Sequence, residues 1–107
     1  MGQVASKYVT ANLKLLTTKE GGRLSGIASG YRPNHVFEYS DGQVLSTYIG
    51  EIEFDDSTWI QPGEIRKVTI RFLFVPEIEK YLIVGNKWWI HEGGRLIGEG
   101  EILEVLS

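Results

Sequence analysis

The chain has 107 residues, of which 42% are hydrophobic and 11% are aromatic, and its formal net charge at pH 7 is −3. This apolar content is enough for one hydrophobic core, so length and composition exclude a disordered chain and a second domain of ordinary size. The absence of cysteine excludes disulfides, thiolate chemistry and cysteine-based zinc sites. The acidic net charge disfavours sequence-independent binding to nucleic acid.

Residues 1–6 are predicted to form a flexible leader, followed by a single folded domain at residues 7–107. The leader fits the pattern for myristoylation of Gly2, which is the one route to a membrane that the sequence offers. No apolar run approaches the roughly 18 to 20 residues of a membrane helix, and no secretory signal precedes the first strand. We therefore expect a cytoplasmic protein.

The first half of the chain predicts strands that are separated by short turns. From Lys7 to Leu15 apolar and polar residues alternate, as is typical of a half-buried strand. A glycine-rich stretch follows at residues 21–30, and then a second strand at residues 31–39. Pro33 removes a backbone donor there, which indicates an edge or a strand start.

Asp41-Gly42 predicts a tight turn before a third strand at residues 43–54. Within that strand Gly50 is expected to form a bulge or a bend. Pro62-Gly63 marks the next turn.

The second half of the chain predicts three more strands. Residues 66–74 show the sharpest alternation, residues 78–91 are interrupted by Gly85-Asn86, and residues 96–106 complete the set. No helical periodicity is present. Six strands with short turns in about 100 residues predict an all-β fold, either a closed barrel or a sandwich, because closure removes exposed strand edges.

One seven-residue element, Glu-Gly-Gly-Arg-Leu-x-Gly, occurs at residues 20–26 (the first repeat) and at residues 92–98 (the second repeat). Adjacent glycines can adopt the positive φ angles of a hairpin turn without steric cost. Both repeats are therefore predicted to form hairpin turns with Glu and Arg facing each other across the base. Gly26 and Gly98 are expected to admit a neighbouring chain or a bulge.

Three further motifs accompany the repeats: Gly30-Tyr31-Arg32-Pro33, Gln61-Pro62-Gly63-Glu64 and His91-Glu92-Gly93-Gly94-Arg95. In this order, from about residue 8 to residue 106, they resemble the C-terminal β-barrel, domain III, of bacterial elongation factor Tu. The resemblance implies an all-β, six-stranded antiparallel closed barrel. The chain contains no G-x-x-x-x-G-K-[ST] loop, so it lacks the family's GTPase domain and nucleotide hydrolysis is not expected.

The resemblance also implies a surface for aminoacyl-tRNA, whose acceptor and T-stem backbone this barrel helps to bind. The candidate RNA contacts carried over from the family are Arg23, Arg32, His91, Glu92, Gly93 and Arg95. His91 stands where the family has arginine, and Val75 precedes Pro76 where a basic residue is usual. A neutral imidazole lacks a permanent charge and a donor fork for phosphate, so these departures weaken the expectation of tRNA binding.

Trp88 and Trp89 are adjacent in a predicted strand. Alternation sends the two indoles to opposite faces, so one of them is expected to be exposed. The outer indole either covers a neighbouring loop, such as residues 77–81, or anchors a protein partner, because Trp and Tyr often dominate binding energy. The candidate protein interface is Trp88, Trp89 and Tyr81.

The sequence predicts no catalytic, metal or cofactor site. His35 and His91 are the only histidines, too few for a metal site without several convergent carboxylates, and no Ser/His/Asp motif accompanies them. Asp55-Asp56 predicts turn chemistry. The sequence thus favours a non-catalytic module that binds a protein partner and leaves its oligomeric state open. The alternatives are a tRNA-contacting module in translation and a mimic of elongation factor Tu that competes for its ligands.

Overall fold

Six of the strands in the described part of the chain close into a barrel. The computed structural model describes residues 5–55 and 57–106. The strands are β1 (Ser6–Leu15), β2 (Asn34–Val36), β3 (Tyr39–Ser40), β4 (Gln43–Val44), β5 (Tyr48–Glu53), β6 (Ile65–Leu73), β7 (Lys87–Glu92) and β8 (Arg95–Val105). The barrel order is β1-β6-β5-β2-β7-β8, and every paired neighbour is antiparallel. The predicted all-β, six-stranded antiparallel closed barrel is confirmed.

Two parts of the sequence predictions lie outside the described residues. One is most of the predicted leader, residues 1–4, together with the myristoylation motif at Gly2. The other is Asp56. The Oδ1 atom of its neighbour Asp55 accepts a hydrogen bond from the backbone N–H of Ser57 at 3.0 Å, a contact typical of Asp at turns.

β1 shows how alternation builds the core. It pairs with β6 on one side and with β8 on the other, so one face of the strand lies against the barrel interior. The inward side chains of β1 are Val9, Ala11, Leu13 and Leu15, all of them buried. Those of β6 are Val68, Ile70 and Phe72, also buried. Both strands were predicted correctly, because a period of two is a local property of the sequence.

Trp88 occupies the middle of the barrel. Its ring centroid lies 5.8 Å from that of Phe37 and 6.1 Å from that of Phe72. Gly100 leaves room for the indole, because an added Cβ would lie 2.6 Å from the ring. Gly50 likewise leaves room for the His35 ring, because an added Cβ would lie 2.8 Å from the Nε2 atom of His35. The ladder of β5 with β6 begins at Gly50, opposite Phe72, and contains no register shift. The bulge or bend expected at Gly50 stays a prediction, and the packing of His35 accounts for the glycine.

His35 is a structural residue inside the barrel. The indole Nε1–H of Trp88 donates to His35 Nδ1 at 3.0 Å, so the second ring nitrogen, Nε2, carries the proton and donates to the carbonyl of Gly50 at 2.9 Å. Burial lowers the pKa of His35 to about 4, against the smaller raising effect of the hydrogen bond to Gly50. The imidazole is therefore neutral at pH 7.

The predicted second and third strands are broken by a small hairpin outside the barrel. β3 and β4 form a separate two-stranded sheet around Asp41 and Gly42, whose φ angles are 51° and 77°. Positive φ at both central residues confirms the tight turn. The residues of this hairpin are exposed, so the chain leaves the barrel after β2 and re-enters it with β5.

The predicted strand at residues 78–91 is correct only in its second half. Residues Pro76–Tyr81 form a short 3-10 helix, and β7 begins at Lys87. Pro76 favours this turn because its fixed φ suits the start of a helix and its missing N–H is not needed there. The buried side chain of Ile78 anchors the turn on the core, which explains the apolar pattern that resembled a strand.

Candidate functional site

The first repeat does not form the predicted hairpin. It continues a short 3-10 helix, Thr18–Glu20, that ends at Gly21 with a φ of 98°. Thr17 and Glu20 form a capping box, in which the Glu20 N–H donates to Thr17 Oγ1 at 3.1 Å and the Thr17 N–H donates to Glu20 Oε1 at 2.8 Å. This Thr-x-x-Glu spacing is visible in the sequence and specifies a helical start, which overrides the hairpin pattern of the two glycines.

The second repeat does form the predicted hairpin. Glu92 and Arg95 are paired in register at the ends of β7 and β8. Only the first glycine of the turn, Gly93, has a positive φ, of 57°, as in a type II′ turn. The same Glu-Gly-Gly-Arg-Leu segment therefore makes two different turns, because the residues that precede it differ.

The two repeats meet at one end of the barrel. The Arg23 guanidinium donates to Glu92 Oε2, and the Tyr31 hydroxyl donates to the same oxygen. The guanidinium carbon also lies 5.2 Å from the centre of the Tyr31 ring. The side chains of Arg23 and Glu92 are only 23% and 31% exposed. The Arg23 charge is thus compensated within the chain, where the resemblance predicted a contact to RNA.

His91 is covered and uncharged. It is buried, lies on the same side of β7 as Trp89, and shares a hydrogen bond between its Nε2 atom and the Tyr39 hydroxyl. Among the described residues its Nδ1 atom has no hydrogen-bond partner. Burial lowers the pKa of His91, so the ring is neutral at pH 7. It cannot supply the charge that an arginine would bring to a phosphate.

The remaining candidate RNA contacts are open to solvent. Arg32 is 63% exposed at its side chain, and its Nη2 atom lies 3.8 Å from Glu51 Oε1. Gly93 and Arg95 are exposed at the second repeat. Val75, which precedes the second 3-10 helix, is exposed and brings no charge to the surface. Of the six candidate RNA contacts, three therefore contact other side chains of the chain and are partly or fully covered, namely Arg23, His91 and Glu92. The other three are accessible to solvent.

The two indoles point to opposite sides of β7, as alternation predicted. Trp88 is fully buried, which removes it from the candidate interface. Trp89 is partly exposed on the outer side, and its ring lies edge-on to Tyr39 with a centroid distance of 5.3 Å. Tyr81 instead stacks on Phe37 at 4.9 Å. The hairpin at Tyr39, and not the loop at residues 77–81, therefore packs against the outer indole.

A groove of 280 Å³ runs over the outer face of the barrel beside Trp89. We call it the Trp89 groove. Its main lining side chains are Lys14, Ile65, Lys87, Trp89, Glu99 and Glu101. Apart from Trp89, the sequence did not single these residues out as a site. Alternation assigns each of them to an outer face, but the register that brings them together depends on strand pairing.

The described residues contain no cluster of three histidine or carboxylate side chains that could bind a metal ion. Among the helices that the structure describes, none is long and apolar enough to cross a membrane.

A family model matches the chain. It is the model of the elongation factor Tu C-terminal domain, and the match covers residues 3–106. It agrees with the resemblance carried by the repeats and with the closed six-stranded barrel.

Proposed function

The chain belongs to the family of elongation factor Tu C-terminal domains, and we propose that it is a non-catalytic barrel module whose partner is a protein that docks on the Trp89 groove. The observation that carries this proposal is the outer indole of Trp89, which lines the groove while Tyr39 holds it from the side. An aromatic side chain that is already fixed in place loses little conformational entropy on binding. Such residues are frequent anchors of protein interfaces.

The composition of the groove supports a protein partner. Trp89 and the exposed Ile65 supply apolar contact area, and four charged side chains lie among them. An apolar centre with charged surroundings is the usual arrangement of a protein interface. Small-molecule sites are typically lined mostly by apolar side chains, whereas charged side chains form much of the lining here.

The electrostatics support a protein partner over RNA. Arg23 is compensated by Glu92, and His91 is neutral and covered. Among the carried-over contacts, Arg32 and Arg95 remain exposed cations, and the net charge of −3 opposes the neutralisation of phosphates that RNA binding needs.

A titration of tRNA binding at low and moderate salt separates the two alternatives. We expect no binding, or weak binding that Arg32→Ala and Arg95→Ala leave unchanged. Affinity that falls steeply with salt and requires these arginines would favour the tRNA-contacting module.

The direct test is affinity capture from lysate of the source organism with the wild-type chain and with Trp89→Ala. Trp59→Ala is a matched control, because this indole is 53% exposed and lies outside the groove. We expect Trp89→Ala to lose the captured protein and Trp59→Ala to retain it, with both variants folded by circular dichroism. Equal capture by all three chains would count against the groove. A captured protein that also binds elongation factor Tu would favour a mimic that competes for ligands of that factor.

A further inference from the structure

We infer that the protein partner of the Trp89 groove is a second copy of this chain, bound as a symmetric dimer in which the two grooves face each other. The inference rests on the proposed function, since it names the partner of the same site. Its basis is the order of the side chains across the groove. When a second copy of this row is turned end to end and laid against the first, each side chain lies opposite one of complementary character.

Strand register defines this order. Trp89 is paired with Glu99, Glu99 with Lys14, and Lys14 with Ile65. The four residues form one row across β7, β8, β1 and β6. All four belong to the outer face, because the intervening residues of these strands point into the core. At about 4.8 Å between strands, the row is about 14 Å long. It reads aromatic, negative, positive, aliphatic.

A two-fold axis parallel to the strands, placed between two facing barrels, reverses the row in the partner. Trp89 then faces Ile65 of the second chain, and Glu99 faces Lys14. Each contact occurs twice, as in any isologous interface. An axis along the row would instead place each residue opposite its own kind, with Glu99 against Glu99. The order of side chains in the row therefore favours self-association about the axis that is parallel to the strands.

Lys14 and Glu99 are cross-strand neighbours of opposite charge, but their side chains do not close into an ion pair. Among the residues that the structure describes, neither Lys14 nor Glu99 has an oppositely charged group within 4.0 Å in an ion pair. Ile65 is 65% exposed although it is aliphatic. Dimerisation would cover this side chain with an indole and give each of the two charges a second neighbour of opposite sign.

The neighbouring row limits the affinity. It runs Lys87, Glu101, Asn12, Lys67 across the same four strands. The same axis places Glu101 opposite Asn12, whose amide can donate to the carboxylate. It also places Lys87 opposite Lys67, a repulsion at the margin of the interface. We therefore expect a weak dimer, with a Kd on the order of 10 to 100 μM.

Sedimentation of the purified full chain at increasing concentration tests the inference with two matched variants. Lys14→Glu and Lys67→Glu change the charge equally, each from +1 to −1. We expect Lys14→Glu to weaken the dimer by about tenfold or more, because two attractions become repulsions. We expect Lys67→Glu to strengthen it several-fold, because each new carboxylate faces Lys87. Combining Lys14→Glu with Glu99→Lys should restore association to about the wild-type level.

Wild-type chain that stays monomeric up to about 0.5 mM overturns the inference, as does a dimer whose strength changes in the same direction in both variants. These side chains lie on the outer face, so unchanged melting temperatures will show that the variants are folded. A monomeric chain that still captures another protein through Trp89 overturns the dimer and leaves the proposed function standing. A dimer with the expected charge pattern supports both.

Discussion

Arg23 of the first repeat and Glu92 of the second are 69 residues apart in the chain, and their side chains form an ion pair at one end of the barrel. The Tyr31 hydroxyl donates to the same carboxylate oxygen. Burial raises the pKa of Tyr31, against a smaller lowering effect of the Arg23 charge, so the hydroxyl stays protonated as a donor. The ion pair therefore links the two repeats at this end of the barrel. It forms between the repeats, although each repeat also contains a Glu and an Arg of its own.

Replacing Glu92 with Gln tests this role. The variant keeps the size of the side chain but loses the charge that two donors share, so we expect the free energy of unfolding to fall by about 1 to 2 kcal/mol. Glu101→Gln is the control, because no ion pair within 4.0 Å involves it in the described residues. Urea unfolding measures both. Equal stability of the two variants would show that the Glu92 carboxylate contributes no more to the free energy of unfolding than an exposed charge does.

Replacing Gly100 with Ala tests the packing around the central indole. The added Cβ would lie 2.6 Å from the Trp88 ring, which is itself enclosed by other core rings. We expect overpacking to cost about 1 to 3 kcal/mol. Gly94→Ala should be nearly neutral, because nothing lies within 4 Å of its added Cβ. If thermal unfolding shows the same midpoint for both variants, the core is more adaptable than its packing indicates.

Stability should fall as the pH falls from about 6.5 towards 5. His35 has its pKa lowered to about 4 in the folded chain, whereas an unfolded histidine titrates near 6.5. Below 6.5 the unfolded chain therefore binds a proton that the folded chain does not, so the free energy of unfolding decreases with acidity. The full loss approaches about 3 kcal/mol near pH 4. The lowered pKa of His91 acts in the same direction.

His35→Gln separates this effect from other titrations. Glutamine can still accept from Trp88 and donate to Gly50, but it cannot be protonated in this range. We expect a smaller slope of stability against pH between 7 and 5, measured by urea unfolding. Carboxylates with lowered pKa values, such as Glu64, lose their contribution only at lower pH. An unchanged slope in the variant would exclude His35 as its source.

Tyr39 should stabilise the outer side of β7 through its hydroxyl. Tyr39→Phe removes the partner of His91 Nε2 and leaves both ring nitrogens unpaired beneath the hairpin. We expect a loss of about 1 to 2 kcal/mol in urea unfolding. Tyr8→Phe is the control, since no side-chain hydrogen bond of Tyr8 is found in the described residues. A loss of the same size in the control would contradict the role of the Tyr39 hydroxyl.

Local residue patterns were enough to establish the strands with a clear apolar face, such as β1 and β6, and the turn at Asp41 and Gly42. They also placed Trp88 and Trp89 on opposite faces, because alternation depends only on neighbours in the chain. The ordered motifs supported a six-stranded barrel before any strand pairing was known. The same patterns failed where a nearby residue changed the backbone, as Thr17 does at the first repeat.

The remaining features of the fold and of the candidate site were determined by pairing between strands that are distant in the chain. The contact of Arg23 with Glu92 depends on barrel closure, and the cover of His91 depends on a hairpin that leaves the barrel after β2. The row of Trp89, Glu99, Lys14 and Ile65 follows from the registers of three strand pairs. A shift of one residue in any pair would move these side chains to the other face, and no local property of the chain specifies that register.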